Sequence, residues 1–258
     1  MGGESTTRTA PRSGGINRGP VGSRTGQRLS GLAVALGLVL FLAGFGWAAV
    51  IYRPYTVPTT SMTPTIDAGD RVLAQNVDGD EVRRGDVVVF RDSTWVDNAP
   101  VVKRVVAVGG DKVSCCTNGK LTVNGKQIEE PYLPKGSLAE NTDFPTVTVP
   151  KGRLFLLGDE RQGSLDSTAH LTDAARGTVS RDAVTARVDA VIWPMEGMLK
   201  RPTGFETLGS LSEPGPFRTI GVLIVVGGAL VLAGGAYGPV AKLLGGRGRA
   251  RTEPAGAR

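Results

Sequence analysis

An uncharged apolar run near the N-terminus constrains the fold of this chain more than any other feature. Residues 31–51 contain no charged side chain, and at ~1.5 Å per residue a helix of that length spans a hydrocarbon core of about 30 Å. Trp47 and Tyr52 lie near its far end, and aromatic rings favour the membrane interface. The apolar region of a cleavable signal peptide is only about 7–15 residues long. We therefore predict an uncleaved transmembrane helix over residues 30–52; the alternative is a buried helix of a soluble domain.

A second uncharged run, Ile220–Tyr237, predicts another transmembrane helix over residues 218–241. Its many glycines lower helix propensity, but glycine is common in membrane helices. The tails, residues 1–29 and 242–258, each carry a net charge of +4, and the chain between them carries −2. The positive-inside rule then places both tails in the cytoplasm and residues 53–217 on the other side. The first tail has almost no large apolar side chain, so we expect it to be disordered.

The composition excludes two classes of function. The net charge is +6, but the basic residues lie in the tails, so a nucleic-acid-binding surface is not expected. Two cysteines, Cys115 and Cys116, and one histidine, His170, are too few for a metal site, and we expect no metal or cofactor. The adjacent cysteines could be two thiols or a strained bridge, and an oxidising compartment favours the bridge.

Between the two apolar runs the sequence predicts a mainly antiparallel β domain. Short β-branched segments are separated by Gly-Asp, Gly-Gly-Asp and Asn-Gly turns. Asn124-Gly125 is typical of a hairpin turn, and Pro134–Pro150 has the composition of an exposed loop. The predicted strands cover residues 71–74, 86–90, 101–108, 121–128, 153–157 and 186–193.

One serine and one lysine are candidates for catalysis. Ser61 lies in the segment Val57–Thr65, where Pro58 and Pro64 favour a stiff, extended backbone. A serine nucleophile needs a base. Lys103 is flanked by valines, and burial disfavours the charged form of a lysine and lowers its pKa. A neutral amine could accept the Ser61 proton; the alternative is an ordinary strand lysine with its ammonium group in water.

Four motifs follow the first apolar run in a fixed order: Pro58–Thr65, Gly69–Ala74, Lys103–Val113 and Gly158–Ser167. In this order, behind a membrane anchor, they resemble bacterial type I signal peptidase, a membrane-bound serine endopeptidase with a Ser–Lys dyad. The resemblance covers about residues 30–217, and the second anchor is similar to that of some Gram-positive and actinobacterial members. It implies a signal-peptidase-like antiparallel β-sheet catalytic domain, outside the cytoplasm and flanked by two transmembrane helices, that removes N-terminal signal peptides from exported preproteins.

The resemblance also implies roles for individual residues. Ser61 matches the nucleophile, and Lys103 matches the general base for both acylation and deacylation. Thr59 matches the position whose hydroxyl joins the Ser61 backbone N–H in an oxyanion hole. Ser164 matches the serine that hydrogen-bonds the lysine amine, and Asp166 matches a buried carboxylate that pairs with an arginine.

Two positions depart from the family pattern. Glu160 stands where the family usually has asparagine, and Thr168 stands where it usually has the arginine that follows the buried aspartate. The resemblance therefore leaves the partner of Asp166 open, and Arg104 or Arg161 could take that place. The nucleophile and the general base are not affected by these departures.

The same resemblance implies shallow apolar pockets that accept small side chains at positions −1 and −3 of the cleavage site. The partners implied are signal peptides, the lipid bilayer of the cell membrane and the secretion translocon. A self-cleaving LexA-type repressor shares the chemistry, but a membrane span replaces its DNA-binding head. A membrane-anchored binding or scaffold protein with the same fold and no activity is the other alternative. The residues that match the pocket positions are Val57, Pro58, Met62, Ile66, Val72 and Val102.

Overall fold

A computed structural model describes residues 24–134 and 143–247. These residues form two compact units. One unit contains residues 24–44 and 222–247, and the other is Phe45–Gly221. Most of both predicted basic tails, and the centre of the predicted exposed loop, lie outside the described residues.

The described residues contain long helices at the two ends and short strands between them. The helices are α1 (Arg24–Ile51), α2 (Ser93–Val96) and α3 (Phe217–Arg247). The strands are β1 (Tyr52–Thr56), β2 (Arg71–Asn76), β3 (Val87–Phe90), β4 (Val101–Val108), β5 (Lys112–Thr117), β6 (Lys120–Val123), β7 (Lys126–Gln127), β8 (Phe144–Thr148), β9 (Arg153–Leu157), β10 (Thr178–Ser180), β11 (Val184–Trp193) and β12 (Gly197–Met198).

Helices α1 and α3 are long and apolar enough to cross a membrane, over Thr25–Ile51 and Phe217–Ala241. Many of their apolar side chains are exposed, such as Leu32 at 67% and Leu232 at 75%, which is unlike the core helix of a soluble protein. The prediction that residues 24–29 belong to a disordered tail is wrong. Helix α1 begins at Arg24, since a nucleated helix readily propagates into neighbouring residues such as arginine and glutamine.

Within their unit, α1 and α3 pack closely through glycines. A Cβ atom on Gly37 would lie 2.7 Å from the Gly227 carbonyl oxygen, and a Cβ on Gly227 would lie 2.5 Å from the Phe41 nitrogen. Ser30 Oγ donates a hydrogen bond of 2.8 Å to the Gly234 carbonyl. Small residues allow such approach in membrane helices, so the glycines of α3 serve packing although they lower its helix propensity.

The larger unit is built on two antiparallel sheets, which agrees with the mainly β fold class. The first sheet has eight strands in the order β1-β2-β11-β3-β4-β9-β10, with β12 also paired to β11. The second has four strands in the order β7-β6-β5-β8. All registers between the described strands are antiparallel, and Asn124 and Gly125 form the predicted hairpin turn with positive φ. Apolar residues of the two sheets form the core of this unit.

The sequence underestimated the number of strands. Strands β1, β5, β8, β10 and β12 were not predicted. Residues 144–148 form β8 rather than part of an exposed loop, and they pair with β5. The missed strands are short or carry polar residues, prolines and cysteines, so pairing with a neighbour decides their conformation more than their intrinsic propensity does.

Candidate active site

Ser61 lies at the start of a series of turns. Val57 pairs with the returning chain, since its N–H donates to the Asp70 carbonyl over 2.9 Å. After Thr59 the chain turns: the Ile66 N–H donates to the Met62 carbonyl over 3.0 Å. The predicted extended backbone is therefore wrong from Ser61 onward. The buried side chains of Met62 and Ile66 hold these turns on the core, because neither is exposed to solvent.

Lys103, on the central strand β4, reaches Ser61. Its Nζ donates a hydrogen bond of 2.7 Å to Ser61 Oγ, and the two residues are 4% and 9% exposed. Burial lowers the pKa of Lys103 from 10.5 to about 8, while the carboxylates of Asp166 and Asp159 act in the opposite direction. A substantial fraction of this lysine is therefore neutral near physiological pH, with its nitrogen next to a hydroxyl.

Two other hydroxyl groups lie beside Ser61. Thr59 Oγ1 is 3.2 Å from Ser61 Oγ, so either atom can donate to the other. Ser164 Oγ is buried and has no hydrogen-bond partner among the described residues. The hydrogen bond that the resemblance implies between Ser164 and Lys103 is thus not formed. Ser164 instead packs against Gly158, where an added Cβ would lie 2.2 Å from its Oγ.

Asp166 has no arginine partner among the described residues, which corrects the expected ion pair with Arg104 or Arg161. Its Oδ2 accepts the Gly158 N–H over 2.9 Å, and its Oδ1 accepts the N–H and the hydroxyl of Thr168 over 3.0 and 2.8 Å. Thr168, in place of the family arginine, therefore satisfies this carboxylate by local hydrogen bonds, as a side chain two residues away can do.

Arg104 pairs with a carboxylate that the sequence reasoning missed. Its Nε and Nη2 donate to the two oxygens of Asp159 over 2.8 and 2.6 Å, and both side chains are almost fully buried. Asp159 follows Gly158 in the fourth motif. Its place in that motif was the only indication in the sequence that Asp159 belongs to the site. Burial alone would lower the pKa of Arg104, but Asp159 outweighs it and raises that pKa, so the pair stays ionised.

Arg161 pairs with a second missed carboxylate, Glu130. Its Nη1 and Nη2 donate to the two Glu130 oxygens, the first over 3.1 Å, and its Nε donates to the Gly158 carbonyl over 2.9 Å. Tyr132 donates its hydroxyl hydrogen to Glu130 and lies 4.0 Å beneath the Arg104 guanidinium. No local sequence pattern indicated that residues after the β6–β7 hairpin would reach this site.

A cavity of about 340 Å³ opens over Ser61 and Lys103. Its lining includes the chain from Tyr55 to Thr60 and the start of β4. Strand β9 pairs with β4 only from Arg104 onward, so the register leaves Val101–Lys103 without a β9 partner. The remaining lining residues are mostly apolar: Val89, Val96, Ala99, Pro100, Gly163 and Leu165.

The predicted pocket residues divide into two groups. Val57, Pro58 and Val102 line the cavity. The other three are not exposed at all and lie in the core cluster beneath it, so the structure does not place them on the cavity surface. They support the wall by packing, and they are Met62, Ile66 and Val72.

One group of described residues has potential metal ligands close together, namely Cys115, Cys116 and Asp143. A disulfide joins the two cysteines, and thiolates are the form in which cysteine binds metals. The two cysteines lie on β5 of the second sheet, and Asp143 directly precedes β8. His170 pairs with Asp173 and stacks on Trp95.

Chemically, the site combines an amine of lowered pKa, a hydroxyl in hydrogen-bond contact with it, and an apolar cavity. Such an arrangement can activate a serine for attack on a carbonyl carbon. Two chain segments line the cavity, residues 55–61 and 99–103, and Val101–Lys103 have no partner in the described strand β9, so their backbone groups on that edge can pair with an extended chain.

The family model and the similar sequences agree on one family. The family model described as "Signal peptidase, peptidase S26" matches residues 29–193. Signal peptidase I of Mycobacterium tuberculosis strain H37Rv is 32% identical over 193 residues, which cover 56% of this chain and 66% of that protein. The chain thus covers slightly less than two thirds of that relative. Signal peptidase IB of Staphylococcus aureus strain N315 is 35% identical over 181 residues, covering 63% of this chain and 86% of that protein. A crystal structure of a signal peptidase I from Enterococcus faecalis V583 has a TM-score of 0.33 and 26% identity, covering 46% of this chain and 96% of that chain.

Proposed function

The chain belongs to the peptidase S26 family of signal peptidases, and on that premise we propose that it is a membrane-bound serine endopeptidase that removes N-terminal signal peptides from exported preproteins. Ser61 is the nucleophile and Lys103 the general base of a Ser–Lys dyad. The observation that carries the proposal is the hydrogen bond of 2.7 Å between Lys103 Nζ and Ser61 Oγ at the base of an apolar cavity.

In acylation, the neutral amine of Lys103 takes the proton of Ser61 while Ser61 Oγ attacks the scissile carbonyl carbon. The negative charge that develops on the carbonyl oxygen is stabilised by the Ser61 backbone N–H and the Thr59 hydroxyl. Losing one such donor typically costs about 3–4 kcal/mol of transition-state stabilisation. The resulting ammonium group of Lys103 then donates its proton to the leaving amine, which departs as the mature protein.

In deacylation, water replaces the leaving amine. Lys103, neutral again after protonating that amine, removes a proton from the water, and the hydroxide formed attacks the acyl carbon. When the tetrahedral intermediate collapses, Ser61 Oγ regains a proton from Lys103 and the signal peptide is released with a free carboxylate. The burial of Lys103 supports this cycle, because a pKa of about 8 lets the same amine accept and release a proton near neutral pH.

The cavity supports a substrate with small side chains at −1 and −3. A peptide added as a strand beside Val101–Lys103 would present alternate side chains to the wall formed by Val57 and Pro58. An apolar cavity of about 340 Å³ shared among several substrate residues leaves little room for large side chains. Small residues at these two positions are typical of signal peptide cleavage sites.

The proposed location is the cell membrane, with α1 and α3 as two spans. The basic charge of both ends supports cytoplasmic termini, with residues 53–217 on the other side. Signal peptides reach such a domain while they are still anchored in the bilayer, close to the secretion translocon. Only a few residues separate the end of α1 at Ile51 from Ser61, which supports cleavage near the membrane surface.

Cleavage of a preprotein by the detergent-solubilised chain tests the proposal. We expect a product whose new N-terminus follows a small residue, and no product from Ser61→Ala or Lys103→Ala. Lys112→Ala is the matched control, because that lysine is exposed on β5 and should leave the rate unchanged. Wild-type rates from Lys103→Ala would exclude the dyad. No cleavage by the unmodified chain would favour a membrane-anchored binding protein, for which the departures at Glu160 and Thr168 are the only support.

A further inference from the structure

We infer that Glu130 and Tyr132 are positioning residues for the Ser61 nucleophile, an inference that rests on the function proposed above. Both follow the β6–β7 hairpin of the second sheet, and neither lines the cavity. They act through the turn of residues 158–161, which lies between them and Ser61. The second sheet therefore contributes to catalysis by delivering these two side chains.

The 158–161 turn packs directly on the backbone of the nucleophile. The Glu160 N–H donates a hydrogen bond of 3.1 Å to the Ser61 carbonyl. An added Cβ on Gly158 would lie 2.5 Å from that same carbonyl oxygen, so the turn fits against Ser61 with no spare room. A displacement of the turn would therefore move the Ser61 backbone, and with it the hydroxyl that must stay within reach of Lys103.

Glu130 fixes one end of this turn through Arg161. The carboxylate holds both terminal nitrogens of the guanidinium, and both side chains are 3% exposed. The third guanidinium nitrogen of Arg161, Nε, donates its N–H to the Gly158 carbonyl over 2.9 Å. A two-point carboxylate–guanidinium pair fixes the orientation of the guanidinium plane. Without Glu130 the buried cation would have to turn toward water, and its bond to Gly158 would be lost.

Tyr132 connects this pair to the other end of the turn. Its hydroxyl donates to Glu130, and its ring lies 4.0 Å beneath the guanidinium of Arg104. Arg104 in turn holds Asp159, the second residue of the turn, through two hydrogen bonds. A cation above an aromatic face is held by the charge distribution of the ring. Both ion pairs that hold the turn therefore depend on Tyr132.

The role is positional, because neither side chain touches the reacting atoms. The charged groups that oppose the lowering of the Lys103 pKa are Asp166 and Asp159, and Glu130 is not among them. Removing the Glu130 charge should therefore reduce the rate of the chemical step without moving the pH at which the rate levels off. The cavity walls are also unchanged, so KM should stay near its wild-type value.

Glu130→Gln tests the inference in the full chain in detergent. We expect kcat to fall about 10- to 100-fold, since a misplacement of about 1 Å can cost that much. We also expect faster hydrogen exchange of the Glu160 amide, which needs no activity to be measured. The matched control is Asp111→Asn, which also breaks a two-point pair, with Arg84, but does not contact the turn. It should leave kcat and the Glu160 amide unchanged.

Tyr132→Phe is the milder variant, in case Glu130→Gln does not fold. It removes only the hydrogen bond from the Tyr132 hydroxyl to Glu130. It should therefore lower kcat less than Glu130→Gln does, but it should still speed hydrogen exchange of the Glu160 amide. The inference is overturned if the folded variant matches Asp111→Asn in both kcat and amide exchange. If the unmodified chain cleaves no preprotein, the proposed function fails. Hydrogen exchange of the Glu160 amide still shows in that case whether Glu130 and Tyr132 hold the turn.

Discussion

Gly158→Ala should slow catalysis by moving the nucleophile, although it replaces none of the proposed catalytic side chains. The new Cβ would lie 2.5 Å from the Ser61 carbonyl oxygen and 2.2 Å from Ser164 Oγ. Ordinary contact begins near 3.4 Å. The Ser164 side chain can rotate away, but the Ser61 carbonyl is backbone and is held by the Glu160 N–H. Ser61 must therefore move by roughly 1 Å, and a misplacement of that size costs about 100-fold in rate.

The assay is kcat for preprotein cleavage, measured together with thermal unfolding in the same detergent. Overpacking itself should cost about 1–3 kcal/mol of stability. Gly109→Ala is the matched control, because its Cβ would lie 2.9 Å from the Pro150 carbonyl oxygen and its nearest atoms belong to residues 150–152 rather than to Ser61. Both variants should lose stability, and only Gly158→Ala should lose kcat. Equal kcat in the two variants would refute the argument that the 158–161 turn sets the position of Ser61.

Two further predictions concern charge. Because only neutral Lys103 can accept the Ser61 proton, kcat/KM should rise about tenfold per pH unit and level off above pH of about 8; a rise that continues to pH of about 10.5 would contradict this. Asp159→Asn should lower the free energy of unfolding by about 3–5 kcal/mol, because it leaves the buried Arg104 cation without its partner. The control Glu129→Gln breaks an exposed ion pair with Lys120. Its free energy of unfolding, measured by chemical denaturation as for Asp159→Asn, should change by about 1 kcal/mol or less. If the two variants lose similar amounts of unfolding free energy, the buried Arg104–Asp159 pair stabilises the fold no more than an exposed pair does.

The sequence could predict the features that depend on local pattern. A lysine surrounded by valines on a β-branched strand is buried with that strand, so the neighbours of Lys103 made it a candidate, and the resemblance to the family then selected it. The two apolar helices and the longest strands were predictable for the same reason, since their periodicity and composition require no distant partner. The serine could be chosen because two prolines and the following motif set its segment apart.

The contacts around the dyad could not be predicted, because they join residues far apart in the chain. Arg104 and Asp159 are brought together by the pairing of β4 with β9, and Glu130 reaches Arg161 from the second sheet. The expectation for Asp166 failed for a different reason. It looked for another arginine, Arg104 or Arg161, to replace the arginine of the family pattern, whereas Thr168 provides local hydrogen bonds that satisfy the carboxylate without a cation.

The most direct test of the account is the titration of the Lys103 amine. Nuclear magnetic resonance of isotope-labelled lysine in the intact chain, with Lys103→Arg to assign the signal, would follow its protonation. We predict a midpoint near pH 8, with which about a tenth of the Lys103 amines would be neutral at pH 7. That is about 300-fold more than an unshifted lysine would supply. A midpoint near the ordinary value of 10.5 would contradict the proposal that burial prepares this lysine to deprotonate Ser61.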